Sequence, residues 1–286
     1  MRALGRLIRV REVPVLLGLV IVFVGTGLLN PIFFSVSILN DILFGVAIVA
    51  TLAIAQTFVI VMRHIDLSVG SVVGFTSFLI GDLSSKGFSL GAVLLAALLV
   101  GASVGAVNGF LVAYLGLPSL VVTLATLYIV RGIFNEVGKG QTIVESMVPE
   151  ELNWLGLNRL FGISYLFIIV LVLMVIAGFL MHRTRAARDL YAIGSNPSAA
   201  GLVGIPVKLR VLLAFTSTGA ISGLAGAVML ARFNSSSTQS GLGLELLVIA
   251  ACVVGGVSIA GGTGSVFGAV SGAVLLQTIL MAIGAL

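Results

Sequence analysis

Apolar runs close to the length of a bilayer crossing recur along the whole sequence, and that recurrence limits every fold the chain can adopt. The hydrocarbon core of a membrane is about 30 Å thick, so a helix rising 1.5 Å per residue needs ~20 apolar residues to cross it. Nine candidate segments meet or approach that length, at 13–29, 36–62, 69–82, 88–115, 118–135, 163–181, 211–231, 244–260 and 265–286. Only 9% of the 286 residues are charged, where a soluble domain carries about 25%, and the mean hydropathy is +1.25. A single water-soluble core is therefore excluded. The expected fold is all-α, a polytopic bundle of membrane helices, with 69–82 too short to cross comfortably and better read as a half-helix.

The net charge of +5 would suggest nucleic acid in a soluble protein, but no basic face interleaved with aromatics is present. The basic residues sit where retention on the cytoplasmic side would place them. Arg2, Arg6, Arg9 and Arg11 precede the first segment, and Arg183, Arg185, Arg188, Lys208 and Arg210 mark the stretch 182–210. Six intervening segments put both stretches on the same side, so the N-terminus and the loop 182–210 are expected to be cytoplasmic. The segment 136–162, with Glu136, Glu145, Glu150 and Glu151, then falls outside. The first run follows a basic N-terminus and has no small-x-small site before Asn30, so it reads as an uncleaved signal anchor. The last run ends at Leu286 without a polar tail, and the native chain is expected to continue into a further helix. A lone cysteine, Cys252, cannot form an internal disulfide.

Glycines recur at four-residue spacing at 101, 105 and 109, at 219 and 223, and at 264, 268 and 272. In lipid such ladders let helix backbones approach closely, so a tightly packed bundle is expected. GSVVG at 70–74 and GSVFG at 264–268 hint at an internal duplication.

Enzymatic motifs are absent or out of context. No G-x-x-x-x-G-K-[ST] occurs, and Gly138-Lys139-Gly140 has neither the spacing nor the hydroxyl of a phosphate-binding loop. If nucleotide drives this protein, another chain must bind it. Residues 101–105 match G-x-S-x-G, but Ser103 lies within an apolar run without a histidine partner and reads as packing material. His64 and His182 stand apart from any cysteine or carboxylate at ligand spacing and read as membrane-edge residues, so no metal site and no catalytic residue is expected.

Polar residues inside apolar runs are costly unless paired or lining a cavity. Gln56, Asn108, Thr123, Thr126, Arg131 and Glu245 are such residues. Gln56, Asn108 and Glu245 are candidates for a polar pathway, with an external interfacial position left open for Glu245. RHIDLSVGS at 63–71 concentrates Arg63, His64 and Asp66 between two apolar runs. Asp66 is placed to offset Arg63 at i,i+3 or to cap a half-helix starting near Val69. In the loop 182–210, Asn196-Pro197 starts a turn, and 197–203 can form two short helical turns suited to docking in a partner's groove.

IDLSVGS (65–71), YAIGSNPSAAGLVGI (191–205) and IAACVVGGVSIAGGTGSVFGAV (249–270), in that order and spacing, resemble the membrane permeases of bacterial ABC importers for ribose-type sugars. The likeness runs from about Asn30 to the end of the chain, and its last motif looks closest to the autoinducer-2 and rhamnose branches. The resemblance implies one permease domain over 1–286, of ten helices in the family, in the bacterial inner membrane. It implies a second permease copy or a similar permease as dimer partner, a periplasmic solute-binding protein, and a cytoplasmic ABC ATPase that binds ATP and Mg. No cofactor is implied in this chain. Carried over by position, the ATPase-coupling residues are Gly194, Asn196, Pro197, Ala199, Ala200, Gly204 and Ile205, and RHIDLSVGS becomes a helix break shaping the transport path. Gln56, Asp66, Asn108 and Glu245 are the candidate residues of that path. A secondary transporter, a non-transporting scaffold and the amino-acid branch of importer permeases are the competing readings.

Overall fold

The computed structural model describes residues 13–286, and in it all nine apolar segments are helical. The basic residues of the signal-anchor assignment, Arg2 to Arg11, lie outside the described residues. The helices are α1 (Val13–Leu29), α2 (Val36–Ile60), α3 (Val69–Ser85), α4 (Leu90–Ala113), α5 (Ser119–Gly138), α6 (Glu150–Leu157), α7 (Tyr165–Arg183), α8 (Arg185–Ser195), α9 (Pro197–Leu202), α10 (Val207–Phe233), α11 (Leu244–Val254) and α12 (Val266–Ala285). A two-stranded hairpin, β1 (Arg159–Leu160) with β2 (Ile163–Ser164), joins α6 to α7. Six helices, α2, α4, α5, α7, α10 and α12, are long and apolar enough to cross a membrane; α1, α3 and α11 are apolar but shorter. The chain is thus an all-α polytopic membrane bundle.

α2 is the axis of the bundle. It is apolar on every side, the pattern of a helix surrounded by protein, and from Val46 to Ile60 nearly every residue is buried, Phe58 excepted. α10 and α12 pack along it, while α4, α5 and α7 turn most of their surface outward. Phe215 from α10 and Phe33 from the turn before α2 are among the largest fully buried side chains.

The glycine ladders do what their spacing implies. Gly101 and Gly105 on α4 face Gly219 and Phe215 on α10, so that a Cβ at either Gly101 or Gly219 would overlap the other's carbonyl. Gly268 and Gly272 meet Gly255 and the Ala251 carbonyl in the same way, closing α12 on the end of α11. Because lipid tails are as apolar as leucine, this contact rests on close van der Waals packing, and one added methyl group removes it.

Two elements differ from the expectation. The run 244–260 yields a helix of only 11 residues, about 16 Å long at 1.5 Å per residue. It ends at Gly255, and a loop with left-handed glycines follows, including Gly256, Gly261 and Gly262. The loop 182–210 holds the short helix expected over 197–203, seen as α9, but is preceded by an unanticipated amphipathic helix, α8, whose inner face is Ala187, Leu190, Ile193 and Gly194.

Gly101→Val should lower the stability of the detergent-solubilised protein by about 1–3 kcal/mol through overpacking. Gly132→Ala, on a helical surface with nothing within 4 Å, should leave it unchanged or raise it by up to ~1 kcal/mol. Thermal unfolding followed by size exclusion measures both.

Candidate functional site

The charged knot is a break in the helical path. α2 ends at Ile60, Arg63 adopts a left-handed conformation (φ 68°), and residues 64–67 run without regular structure before α3 begins at Val69. Buried non-helical backbone in a membrane protein survives only where protein supplies its hydrogen bonds, and here side chains from α2 and α5 supply them, while Asn108 of α4 holds the Ser68 hydroxyl. Gln56 Nε2 donates to the Asp66 carbonyl at 3.2 Å. The Ile65 amide donates to Ser119 Oγ at 3.3 Å, and Thr123 Oγ1 donates to the Ile65 carbonyl at 3.2 Å. Asp66 Oδ1 accepts from the Ser68 amide at 2.8 Å and from Ser68 Oγ at 2.6 Å. Ser68 Oγ accepts from Asn108 Nδ2 at 3.0 Å, and Asn108 Oδ1 accepts from Thr126 Oγ1 at 2.6 Å. Gln56, Asp66, Ser68 and Asn108 are all buried, and among the described residues Asp66 Oδ2 and Gln56 Oε1 have no partner.

The expected offset of Arg63 by Asp66 is not what forms. Asp66 is taken by Ser68 in a local turn, two residues before the cap position of α3 at Ser68. The Arg63 side chain instead leaves the knot and reaches α8, where Nε donates to the Gly194 carbonyl and Nη2 to the Ser195 carbonyl at 2.6 Å. These are carbonyls left open at a helix C-terminus, and a guanidinium there also complements the helix dipole.

A third segment completes this junction. The Gly262 amide donates to the Val61 carbonyl at 2.8 Å. Gly194 packs so tightly on that same carbonyl that a Cβ would overlap it, and Gly261 and Gly262 lie against the Arg63 side chain and Ser195. Tyr191 OH donates to the Gly264 carbonyl at 2.9 Å, and burial pushes its phenol above the ordinary range, keeping it a donor. Arg210 on α10 pairs with Asp189 of α8 at 2.7 Å. RHIDLSVGS, GSNPSAAG and IAGGTGS, far apart in sequence, therefore meet at one end of the bundle.

A second polar region lies along the first half of α3. Arg131 Nη1 donates to the carbonyls of Thr238 and Ser240 at 2.9 and 2.7 Å, holding the loop before α11 against α5. Ser77 Oγ and Ser236 Oγ lie 2.6 Å apart, and Ser236 pairs with Ile143. Gly70 and Gly74 give this loop room, since a Cβ at Gly74 would overlap the Ser240 carbonyl and one at Gly70 the Glu245 carboxylate. Glu245, in the first turn of α11, is half-buried against Gly70, and among the described residues no hydrogen bond joins it to Gln56, Asp66 or Asn108.

Comparison with known proteins follows the same lines. The family model described as branched-chain amino acid transport system / permease component matches residues 38–286. The chain belongs to this permease family. It is 37% identical over 269 residues to the autoinducer 2 import system permease protein LsrC of Escherichia coli (strain K12 / DH10B), covering 94% of this chain and 78% of that one. The LsrC proteins of Shigella flexneri and Salmonella paratyphi B are 38% identical over 269 residues, covering 94% of this chain and 78% and 77% of theirs. No solved structure matches. The resemblance to importer permeases drawn from the three motifs is borne out, and the chain is a multi-pass protein of the inner membrane. Its relatives are permeases, transport components by name.

The coupling residues assigned from sequence fall on two faces. Gly194 and Ala200 are buried against the bundle, Ile205 is half-buried, and Asn196, Pro197, Ala199 and Gly204 are exposed. Asn196 Oδ1 caps α9 by accepting from the Ala199 amide at 3.0 Å, and Gly204 holds φ 83° in the turn after it. Arg63 was singled out in sequence but with the wrong partner, and Tyr191 and the loop 261–264 are the participants that sequence reasoning missed. The only signal for them was their membership in the three recurring motifs.

Asn108→Ala strips Ser68 and Thr126 of their buried partner, and the protein should lose about 1–3 kcal/mol. Asn108→Gln, which keeps the amide, should lose less. Chemical unfolding in mild detergent separates the two.

Proposed function

We propose that this chain is the permease subunit of an ATP-driven importer that moves a sugar-like solute of the autoinducer-2, ribose or rhamnose class. The observation that carries this is the junction itself. A short helix pair outside the spanning helices, α8–α9, is fastened to the break between α2 and α3 and to the loop between α11 and α12, the arrangement needed if a push from outside the membrane is to reach the spanning helices. The names of the relatives, autoinducer 2 import permeases, support the sugar-like class over the amino-acid branch named in the family description.

In this proposal the N-terminus and the loop 182–210 are cytoplasmic and nine helical segments lie in the membrane within one permease domain. A separate ABC ATPase binds ATP and Mg, a periplasmic solute-binding protein delivers the solute, and a second permease completes the path. Exposed apolar surface at the tip of α9 supports a docked partner there, as Leu202 is 90% and Val203 76% exposed. Nucleotide binding supplies the free energy by favouring one of two arrangements of the permeases. Gln56, Asp66 and Asn108 hold the break that shapes the path, and Glu245 with Gly70 lines it where α11 meets α3. The competing secondary-transporter reading rests on the unpartnered Oδ2 of buried Asp66, and uptake that persists without any ATPase would favour it.

The test is reconstitution with the partner ATPase and binding protein. Asn196→Ala, which removes the α9 cap at a cost of about 1 kcal/mol, and Gly204→Val, strained at positive φ, should cut uptake while the ATPase still hydrolyses ATP. Normal uptake by both variants would remove the docking assignment. Ligand binding by the periplasmic partner identifies the solute.

A further inference from the structure

We propose that Arg63 is a positioning residue for transport, a strut that passes displacement of α8–α9 to the two short membrane helices α3 and α11 together. This rests on the importer function proposed above and deepens it.

Arg63 is the one charged side chain of the break whose head group leaves its own segment. Its guanidinium spans to two successive carbonyls, Gly194 and Ser195, and the next residue, Asn196, caps α9. Among the described residues no carboxylate pairs with Arg63, so the fork is held entirely by α8. Its backbone is held in the left-handed region, uncommon for a side chain of this size, and that conformation turns the chain from α2 into the break.

The same α8 terminus grips the second short helix. The Val61 carbonyl, two residues before Arg63, receives the Gly262 amide, and Tyr191 holds the Gly264 carbonyl. Gly255 to Gly264 is the connection leaving α11, and Ser265 begins α12. α3 leaves the junction from the break, and α11 enters it through this connection. The two helices also meet directly at their first turns, where Gly70 of α3 lies against Glu245 of α11 and the Gly241 carbonyl. Close-packed elements of this kind move as units rather than deform. A displacement of α8 therefore shifts the start of α3 and the connection after α11 together, and this linked pair flanks the polar loop held by Arg131. Asp66, bound to Ser68 within its own turn, transmits nothing to α8.

The experiment uses the transporter assembled with its ATPase and binding protein in proteoliposomes, with autoinducer 2, ribose and rhamnose each supplied as probe. The readout is solute moved per ATP hydrolysed. Arg63→Asn tolerates the left-handed backbone but cannot span to α8, and it should lower that ratio by about tenfold, within the range of ordinary coupling energies. The ATPase should remain bound and hydrolyse ATP. Arg63→Lys, a single ammonium on the same reach, should recover part of the ratio. Tyr191→Phe removes only the second tie and should lower the ratio less than Arg63→Asn.

A ratio for Arg63→Asn within about twofold of the wild type, well under a coupling effect, would overturn the proposal. Loss of the ATPase from the complex would overturn it too, since Arg63 would then hold the dock and not the transmission. If Arg63→Asn fails to insert, Tyr191→Phe decides, and an unchanged ratio there counts against the strut. A wild-type complex that moves no probe under ATP removes the importer function and the strut with it, whereas normal wild-type uptake with unaffected variants removes the strut alone.

Discussion

A peptide group in the hydrocarbon of a bilayer has no water to bond, so every departure from helix must be paid for by another part of the protein. The break between α2 and α3 is where this constraint presses hardest. Its unpaired amides and carbonyls draw Gln56 from α2, Ser119 and Thr123 from α5 and the Gly262 amide from beyond α11, and its Ser68 hydroxyl draws Asn108 from α4. Much of the bundle's polar chemistry exists to hold these eight residues, Val61 to Ser68, in place. The glycine ladders then become intelligible as the means of bringing those helices close enough to reach it.

The same constraint links structure to the proposed transport. A break that is satisfied from several elements at once cannot be moved by one of them alone. The partners of the break lie on α4, α5, α8 and the loop after α11, so a shift of α8 relative to the bundle has to be shared among them or exchanged for a second satisfied arrangement. Two such arrangements, each fully hydrogen-bonded, would give the discrete states that an ATP-driven cycle needs. The buried, unpartnered Asp66 Oδ2 and Gln56 Oε1 are acceptors left over in this state and available to the other.

Much of the fold was legible in the sequence because its signals are local. The apolar runs mark the six long apolar helices and the three shorter ones to within a few residues in most cases, since length and hydropathy are read residue by residue. The ladders at 101–109, 219–223 and 264–272 announced close packing, and Asn196-Pro197 announced the short helix after it. The run 244–260 was misjudged because Gly255 and Gly256 continue an apolar run while ending a helix. The site was less legible because its pairings are distant. Arg63 stands three residues from Asp66 but bonds to carbonyls 131 and 132 residues away, and a carbonyl leaves no mark in a sequence. Arg131 is hidden for the same reason, its partners being the backbone of Thr238 and Ser240. α8 was missed because its three charged residues, Arg185, Arg188 and Asp189, mask a buried face of Ala187, Leu190, Ile193 and Gly194.

The central claim is that residues 61–68, 191–196 and 258–264 form one cooperative unit. Hydrogen exchange of the purified wild-type permease and of Tyr191→Phe, compared peptide by peptide, tests it directly. Removing a single hydroxyl from α8 should speed exchange in all three segments together, because regions that open as one unit share one opening free energy. Faster exchange confined to α8, with the Gly262 amide and the break as protected as before, would contradict the account.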